Sequence, residues 1–344
     1  ASEIGTIPTG GSFVGIPRDI DANGKLVEPQ ISSYSLPAGV SDIGDFVFDE
    51  AFHSDTYIQT LNMSGLTAIS GTNACTEAFL GCTNLTSVDM SNVVNITGTR
   101  ACYSMFEGCT SLTSVNLGKL ETIDESTNGN GAQRMFYGCT SLQTVDLSKL
   151  NKAYGPSVCY SMFEGCTNLT TVKLESLATI GGGANGYQRM FYGCSSLVNV
   201  SFPLITELLN NMSFSSAFRG CTSLISNPLS NLERVVTSGG LSSAFYGCTS
   251  LVSVSFPKLK SLGNGYSTMS NCFYNCTSLT TLSFPALTTI SGSYANHFND
   301  MLKGCSNVTV HFRSDFQSVI GSWASVAAGF SGTNTTVLFD LPAQ

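Results

Sequence analysis

Apolar residues recur along most of the chain in a pattern that changes partway through each repeat. In CYSMFEGC (residues 102–109) they occupy positions i, i+3, i+4 and i+7, which is one face of about two helical turns. The next residues, LTSVNL (residues 112–117), end in the apolar–polar alternation of a strand. The pattern therefore predicts a short helix, a short strand and a loop in each unit.

The F-x-x-C-x-x-L core of this unit recurs every 27 to 30 residues. Its cysteine is found at nine positions: Cys82, Cys109, Cys139, Cys166, Cys194, Cys221, Cys248, Cys276 and Cys305. An earlier copy has Asp55 in the same slot. Neither the helix nor the strand can bury its apolar side alone, so the units must stack. We predict an α/β solenoid of ten units over residues 45–312, with a parallel sheet.

Solenoids need caps, because the core of the last coil would otherwise be exposed. We interpret residues 1–44 as an N-terminal linker and cap. Residues 313–344 are predicted to form a C-terminal cap, an amphipathic helix with Phe316, Trp323 and Phe330 on one side, followed by the strand TTVLF. Within the solenoid, Asn227 and Pro228 fall inside a predicted strand, and because proline cannot donate to a sheet, a local break is expected there.

The segment MFYGCTSLQTVDLSKL (residues 135–150) and its copies resemble the BspA-like leucine-rich repeats of bacterial surface proteins. The resemblance covers most of the chain, although the units are slightly longer than the usual pattern. It implies a leucine-rich-repeat solenoid, displayed outside a bacterial cell and used in adhesion or host contact. Repeats of this kind are scaffolds, so the resemblance specifies architecture more closely than function.

The cysteines are interpreted as packing residues. The column seven residues before the repeat cysteine also contains alanine, leucine, methionine and aromatic residues, so its cysteines fill space. In the repeat column, unpaired thiols are favoured over disulfides between neighbouring coils. The coil spacing would allow a bridge, but parallel Cβ vectors fit the disulfide dihedral poorly.

Composition removes several classes of function. The net charge of −8 and the absence of a Lys/Arg cluster argue against nucleic-acid binding. No apolar run approaches the ~18 residues needed for a transmembrane segment. The chain contains no catalytic or cofactor motif, so we expect no enzyme and no cofactor. It begins without Met or a leader, and we expect an export signal to have been removed and any anchor to precede residue 1.

A weak calcium candidate lies near the N-terminus. Asp19, Asp21 and Asn23 match the first half of a calcium-binding loop, D-x-D-x-N-G. The twelfth position is Gln30, where a bidentate Glu is needed. A tight Asn-Gly turn in a small hairpin is the alternative explanation and the favoured one.

Two surfaces are candidates for binding. The outward positions of the predicted strands carry small polar or charged residues, including Asp89, Asn116, Asp146 and Lys173. These residues form either a solvated sheet surface or a flat strip that binds a protein or a glycan. A second row follows the repeat phenylalanine on the convex side, where exposed tyrosines could shield the helix layer or stack on sugars: Tyr137, Tyr192, Tyr246 and Tyr274.

Longer turns are a further candidate surface. They occur at residues 124–134, 181–189 and 263–271. Insertions in a solenoid cluster along one edge, which is often the binding edge. The sequence thus predicts a non-enzymatic, extracellular scaffold at a bacterial cell surface, with a protein or glycan ligand. A glycan-binding module for polysaccharide capture and a passive spacer are the alternatives.

Overall fold

The structure is a computed structural model that describes residues 19–20, 26–27, 31–36, 38–124, 130–263, 265–292, 297–319 and 329–343. These described residues form 22 short strands in chain order: β1 Asp19–Ile20, β2 Leu26–Val27, β3 Ser33–Ser35, β4 Asp42–Ile43, β5 Thr60–Asn62, β6 Ala68–Ile69, β7 Ser87–Asp89, β8 Asn95–Ile96, β9 Ser114–Asn116, β10 Thr122–Asp124, β11 Thr144–Asp146, β12 Lys152–Tyr154, β13 Thr171–Lys173, β14 Thr179–Gly181, β15 Glu207–Leu208, β16 Arg234–Val235, β17 Ser253–Ser255, β18 Ser261–Leu262, β19 Thr281–Phe284, β20 Thr289–Ile290, β21 Thr309–Arg313 and β22 Thr336–Leu341.

Regular coils contribute one strand to each of two parallel sheets. The main sheet runs β3-β5-β7-β9-β11-β13 and, after an interruption, β17-β19-β21-β22. The second sheet runs β4-β6-β8-β10-β12-β14 and, after an interruption, β15-β16-β18-β20. The predicted solenoid of parallel strands is therefore confirmed. It has about 11 turns, because β3 and β4 add a coil before residue 45.

Equivalent residues of successive coils lie opposite one another in the sheets. In the main sheet Leu61 pairs with Val88, and Val88 pairs with Val115. These inward residues are at most 5% exposed. In the main-sheet strands from β3 to β13 the central residue is buried and its two neighbours are not, which follows from the two-residue period of a strand.

The predicted short helix of each unit is wrong. Residues 98–108 form consecutive turns instead. Alternate N–H groups donate to the next coil, as from Phe106 to the carbonyl of Met135 at 2.9 Å, and from Gly108 to Tyr137 at 2.7 Å. The N–H groups between them bond locally, as from Glu107 to the carbonyl of Ser104 at 3.1 Å. We call this segment of each coil, repeated from coil to coil, the turn ladder.

The physical reason is that a chain of four-residue turns produces the same apolar spacing as a helix. Positive φ recurs every fourth residue, at Arg100 (54°), Ser104 (49°) and Gly108 (72°), and an α-helix cannot contain such residues. Bonds to the next coil satisfy the backbone groups that a helix would satisfy internally. Within the described residues, helix α1 spans Phe316–Val319.

A stack of phenylalanine rings fills the core beneath the turn ladder. Adjacent rings lie 5.0 to 5.7 Å apart between centroids and are nearly parallel. The stack consists of Phe52, Phe79, Phe106, Phe136, Phe163, Phe191, Phe218, Phe245 and Phe273. Offset stacking of aromatic rings adds to the free energy gained by burying them.

All 13 cysteines are buried and none forms a disulfide, so the prediction of thiols without disulfide bridges is confirmed. Each of the nine repeat thiols donates a hydrogen bond to the phenylalanine carbonyl of the preceding coil, at 3.0 to 3.1 Å. Burial raises the pKa of the Cys82 thiol to about 12 and that of Cys305 to about 11. These thiols are therefore protonated and unreactive at neutral pH.

The expected break at Pro228 is confirmed. Between β13 and β17, where the structure describes every residue, the chain forms no strand of the main sheet. The Asn227 amide donates to the carbonyl of Ser255 at 2.8 Å, while its side-chain oxygen accepts the N–H of Leu229 at 2.9 Å. The side chain thus replaces part of the backbone pairing that Pro228 cannot provide.

The ends of the solenoid continue its sheets. β3 pairs with β5 at one end, and β22 pairs with β21 at the other. The predicted C-terminal helix is described only over α1, because residues 320–328 lie outside the described residues. The strand expected from TTVLF corresponds to β22.

Candidate binding groove

One column of polar side chains runs across the outer side of the main sheet. The strand register places Asn62 opposite Asp89, and Asp89 opposite Asn116. Further along, Asp146 lies opposite Lys173. Neighbouring strands are about 4.8 Å apart, so the column presents one polar group per coil at that interval.

A shallow groove of about 510 Å³ follows this column over five strands, from β3 to β11. We call it the strand groove, and its lining consists of Tyr34, Ser35, Thr60, Leu61, Asn62, Ser87, Val88, Asp89, Ser114, Val115, Asn116, Thr144 and Asp146. It brings together three of the four strand residues singled out from the sequence. The fourth, Lys173, lines a separate depression of about 220 Å³ and lies 3.2 Å from the Asp146 carboxylate.

The Asn and Asp side chains of this column also have a local role. Each accepts the N–H of the residue two positions later, which closes an Asx turn where the strand ends. The acceptor–donor pairs are Asn62–Ser64 at 2.9 Å, Asp89–Ser91 at 3.0 Å, Asn116–Gly118 at 3.3 Å and Asp146–Ser148 at 3.0 Å. Because Asn and Asp make the same bond, the turn does not require the charge of the two aspartates.

The groove is acidic. Among its lining residues none is Lys or Arg, and two are aspartates. Hydrogen bonds from Ser148, followed by the nearby Lys173, hold the pKa of the Asp146 carboxyl below its usual range. Asp89 has no basic partner within the part of the chain that the structure describes. Asp89 thus faces the groove without a basic neighbour among the described residues, while the carboxylate of Asp146 is shared with Lys173.

The tyrosine row lies over the turn ladder, and it is half-buried rather than exposed as predicted. The guanidinium of Arg134 lies 4.1 Å from the ring centroid of Tyr137, and that of Arg189 lies 4.2 Å from Tyr192. These are cation–π contacts. The rings of Tyr246 and Tyr274 stack on each other at 4.5 Å. Ring surface that a sugar would use is therefore already occupied in this row.

The same arginines pair with carboxylates of the preceding coil, Arg134 with Glu107 and Arg189 with Glu164. The sequence analysis missed this network. Its signal is the tetrapeptide RMFY, which occurs at residues 134–137 and 189–192, with Glu in the slot of its tyrosine one coil earlier.

The other sequence candidates lie at or beyond the edge of the described residues. β1 and β2 pair in antiparallel register, Asp19 with Val27, whereas the Asn-Gly turn expected between them lies outside the described residues. Asp21 and Asn23 of the calcium candidate are outside the described residues, as are residues 125–129 and 264 of the edge loops. Within the described ranges, no group of three His, Cys, Asp or Glu side chains could hold a metal ion.

No helix in the described part of the chain is long and apolar enough to cross a membrane.

The stacked coils, each with a strand in a parallel sheet, define a repeat solenoid. The chain belongs to the family described as BspA type leucine rich repeat region, which it matches in six copies over residues 27–132, 76–216 and 216–321. No curated protein matches it significantly.

Several solved structures are similar to the chain. A leucine-rich cell surface protein from Faecalibacterium prausnitzii is 20% identical, with 89% of this chain and 88% of that chain covered and a TM-score of 0.41. The leucine-rich-repeat protein of T. pallidum is 17% identical, with coverages of 90% and 88% and a TM-score of 0.29. An internalin from Listeria monocytogenes is 13% identical, with coverages of 94% and 92% and a TM-score of 0.22.

Proposed function

We propose that the protein is a non-enzymatic binding scaffold that recognises a protein partner through the strand groove. The observation that carries this proposal is the groove itself, which spans five coils and is lined by hydroxyl, amide and carboxylate groups. Such a lining offers both hydrogen-bond donors and acceptors to a polypeptide. In this proposal the longer turns between coils add contacts at the edge of the same surface.

The architecture favours recognition because the surface is ordered before the ligand arrives. The strands under the groove are held by continuous parallel pairing from β3 to β11. A rigid surface loses little conformational entropy on binding, so more of the contact energy contributes to affinity. In this proposal residues 1–44 and 313–344 protect the ends of the solenoid.

The proposal also includes an extracellular location at a bacterial surface, in adhesion or host contact. Its support is membership of the BspA type repeat family. The 13 buried thiols are compatible with an oxidising environment, because their burial keeps them protonated and out of contact with oxidants.

A binding screen with a matched pair of variants tests the proposal. The purified chain is measured by surface plasmon resonance against immobilised extracellular matrix proteins and against a glycan array. Ser114→Trp fills the strand groove, whereas Ser253→Trp places the same bulk at the equivalent exposed position of β17, outside it. We expect a protein ligand whose binding is lost with Ser114→Trp and retained with Ser253→Trp.

Binding that survives Ser114→Trp would refute the groove as the recognition surface. A response to sugars alone would instead support the glycan-binding alternative. In that case the fluorescence of the tyrosine row should change on sugar titration, while a passive spacer predicts no specific response in either format.

A further inference from the structure

The strand groove repeats its charge every second coil. Along the column amides and carboxylates alternate, in the order Asn62, Asp89, Asn116 and Asp146. Two coils are about 9.6 Å apart, given about 4.8 Å between neighbouring strands. A ligand that meets both carboxylates must therefore present positive charges at this interval on one side.

Regular polypeptide conformations differ in the distance between successive side chains that point in the same direction. A β-strand repeats its side about every 6.6–6.8 Å, which is too short. Two turns of an α-helix cover about 10.8 Å, and a helix about 10 Å wide is too broad for a shallow groove. A polyproline-II helix has three residues per turn and a rise of 3.1 Å, which gives about 9.3 Å.

We propose that the strand groove binds a polyproline-II segment of a protein partner with Lys or Arg at every third residue. The inference rests on the proposed function and names the class of ligand for the same groove. The segment lies along the solenoid axis, across the strands. Its basic side chains contact the carboxylates of Asp89 and Asp146.

The remaining groove residues complement the backbone of such a segment. A polyproline-II helix has no internal hydrogen bonds, so its carbonyls are free to accept. The hydroxyls of Ser87 on β7 and Ser114 on β9 and the amide of Asn116 line the groove, and they can donate hydrogen bonds to these carbonyls. The two carboxylates determine the register in which the ligand binds. The neutral hydroxyl and amide groups form hydrogen bonds along the length of the ligand.

Asp89 and Asp146 can be neutralised without disturbing the fold. Asn62 and Asn116 make the same Asx turn in the same column with an amide in place of the carboxylate. Asp89→Asn and Asp146→Asn therefore keep the turn and remove only the charge.

Replacement of Lys173 should have the opposite effect on the affinity for a basic ligand. The ammonium of Lys173 lies 3.2 Å from the carboxylate of Asp146 and competes with a basic ligand at the end of the groove. Lys173→Met removes this competitor and keeps most of the side-chain length. The pair is largely exposed, at 52% and 44%, so its loss costs the fold little.

Fluorescence anisotropy with labelled synthetic peptides tests the inference. The probe is a Pro-Pro-Lys repeat. The comparison peptides are a Pro-Lys repeat with the same number of lysines and a Pro-Pro-Glu repeat. We expect the Pro-Pro-Lys repeat to bind more tightly than both. Asp89→Asn should weaken it about three- to tenfold and Lys173→Met should strengthen it, since one charge pair is lost or gained. Asp340→Asn, on β22 outside the groove, is the control for net charge.

Two results would overturn the inference. Equal affinity for the Pro-Pro-Lys and Pro-Lys repeats would exclude the spacing argument. Equal weakening by Asp89→Asn and Asp340→Asn would show only long-range attraction to an acidic protein. If the peptides fail but a protein ligand is lost with Ser114→Trp, the proposed function stands without this ligand class. A protein ligand that is insensitive to Ser114→Trp removes the proposed function itself.

Discussion

Arg189 shows how single residues close the turn ladder against solvent. Its guanidinium lies over the ring of Tyr192 and pairs with Glu164 of the preceding coil. The Glu164 side chain is only 8% exposed and also accepts a hydrogen bond from the Ser161 hydroxyl at 2.6 Å. A buried carboxylate that loses its cationic partner remains out of water without a compensating charge, which destabilises the folded state.

Replacement of this arginine should therefore destabilise the protein. We expect Arg189→Ala to lower the free energy of unfolding by about 1–3 kcal/mol, discounted from a fully buried pair because the arginine side chain is 35% exposed. Urea denaturation followed by circular dichroism measures the change. Lys260→Ala is the matched control, because the Lys260 and Glu233 side chains are 60% and 35% exposed and solvent screens their pair, so its loss should destabilise the protein far less. Equal effects of the two variants would contradict this account.

At the scale of elements, the strands could be predicted from the sequence and the turns could not. The alternation in LTSVNL has a period of two that only a strand produces. The spacing in CYSMFEGC fits a helix of 3.6 residues per turn and a chain of four-residue turns equally well over eight residues. Bonds between coils decide the outcome, and a single unit read alone does not contain them.

The same limit applies to the candidate site. The polar column that includes Asp89 and Asn116 follows from strand alternation, so the sequence places it correctly on one side of the sheet. The contact between Lys173 and Asp146 and the cover of the tyrosines by arginine depend on side chains from different coils. Such contacts depend on the register between coils and on rotamers, which a pattern within one unit does not specify.

The turn ladder makes a prediction at Gly165, whose φ is +76°. The equivalent slots of other coils contain Ser54 and Asn275 at φ of 59° and 56°. Gly165→Asn should therefore cost at most about 1 kcal/mol, because Asn tolerates the left-handed region. Gly165→Val should cost more, about 2–3 kcal/mol, because a β-branched residue is strained there. Thermal unfolding of both variants ranks them. In a helix both replacements would stabilise relative to Gly, so stabilisation by Val as well as by Asn would contradict the turns.

At the scale of the whole molecule, the nine buried repeat thiols make the free energy of unfolding depend on pH. Burial raises the pKa of its thiols, as for Cys82 to about 12, while an unfolded thiol ionises near about 8.5. The stabilisation is complete below the pKa of the unfolded thiol and is lost as pH rises toward the pKa of the folded one.

The free energy of unfolding should consequently fall with rising pH between pH 8 and 9.5, with a slope that approaches about 1.4 kcal/mol per pH unit for each thiol that ionises only on unfolding. Urea denaturation at several pH values in the presence of a reductant measures the slope. Cys82→Ala should reduce the slope of the free energy of unfolding against pH by the contribution of one thiol. A stability that is independent of pH over this range would contradict the buried, protonated thiols.

The central claim is that a protein ligand lies in the strand groove, and site-specific photo-crosslinking tests it most directly. A benzophenone side chain is introduced at Asn116, inside the groove, and separately at Tyr192, over the turn ladder. Each variant is irradiated with the protein ligand identified in the binding screen, and the cross-linked products are mapped by mass spectrometry. We predict cross-links from position 116 and none from position 192. Cross-links from position 192 alone would place recognition over the turn ladder and contradict the account.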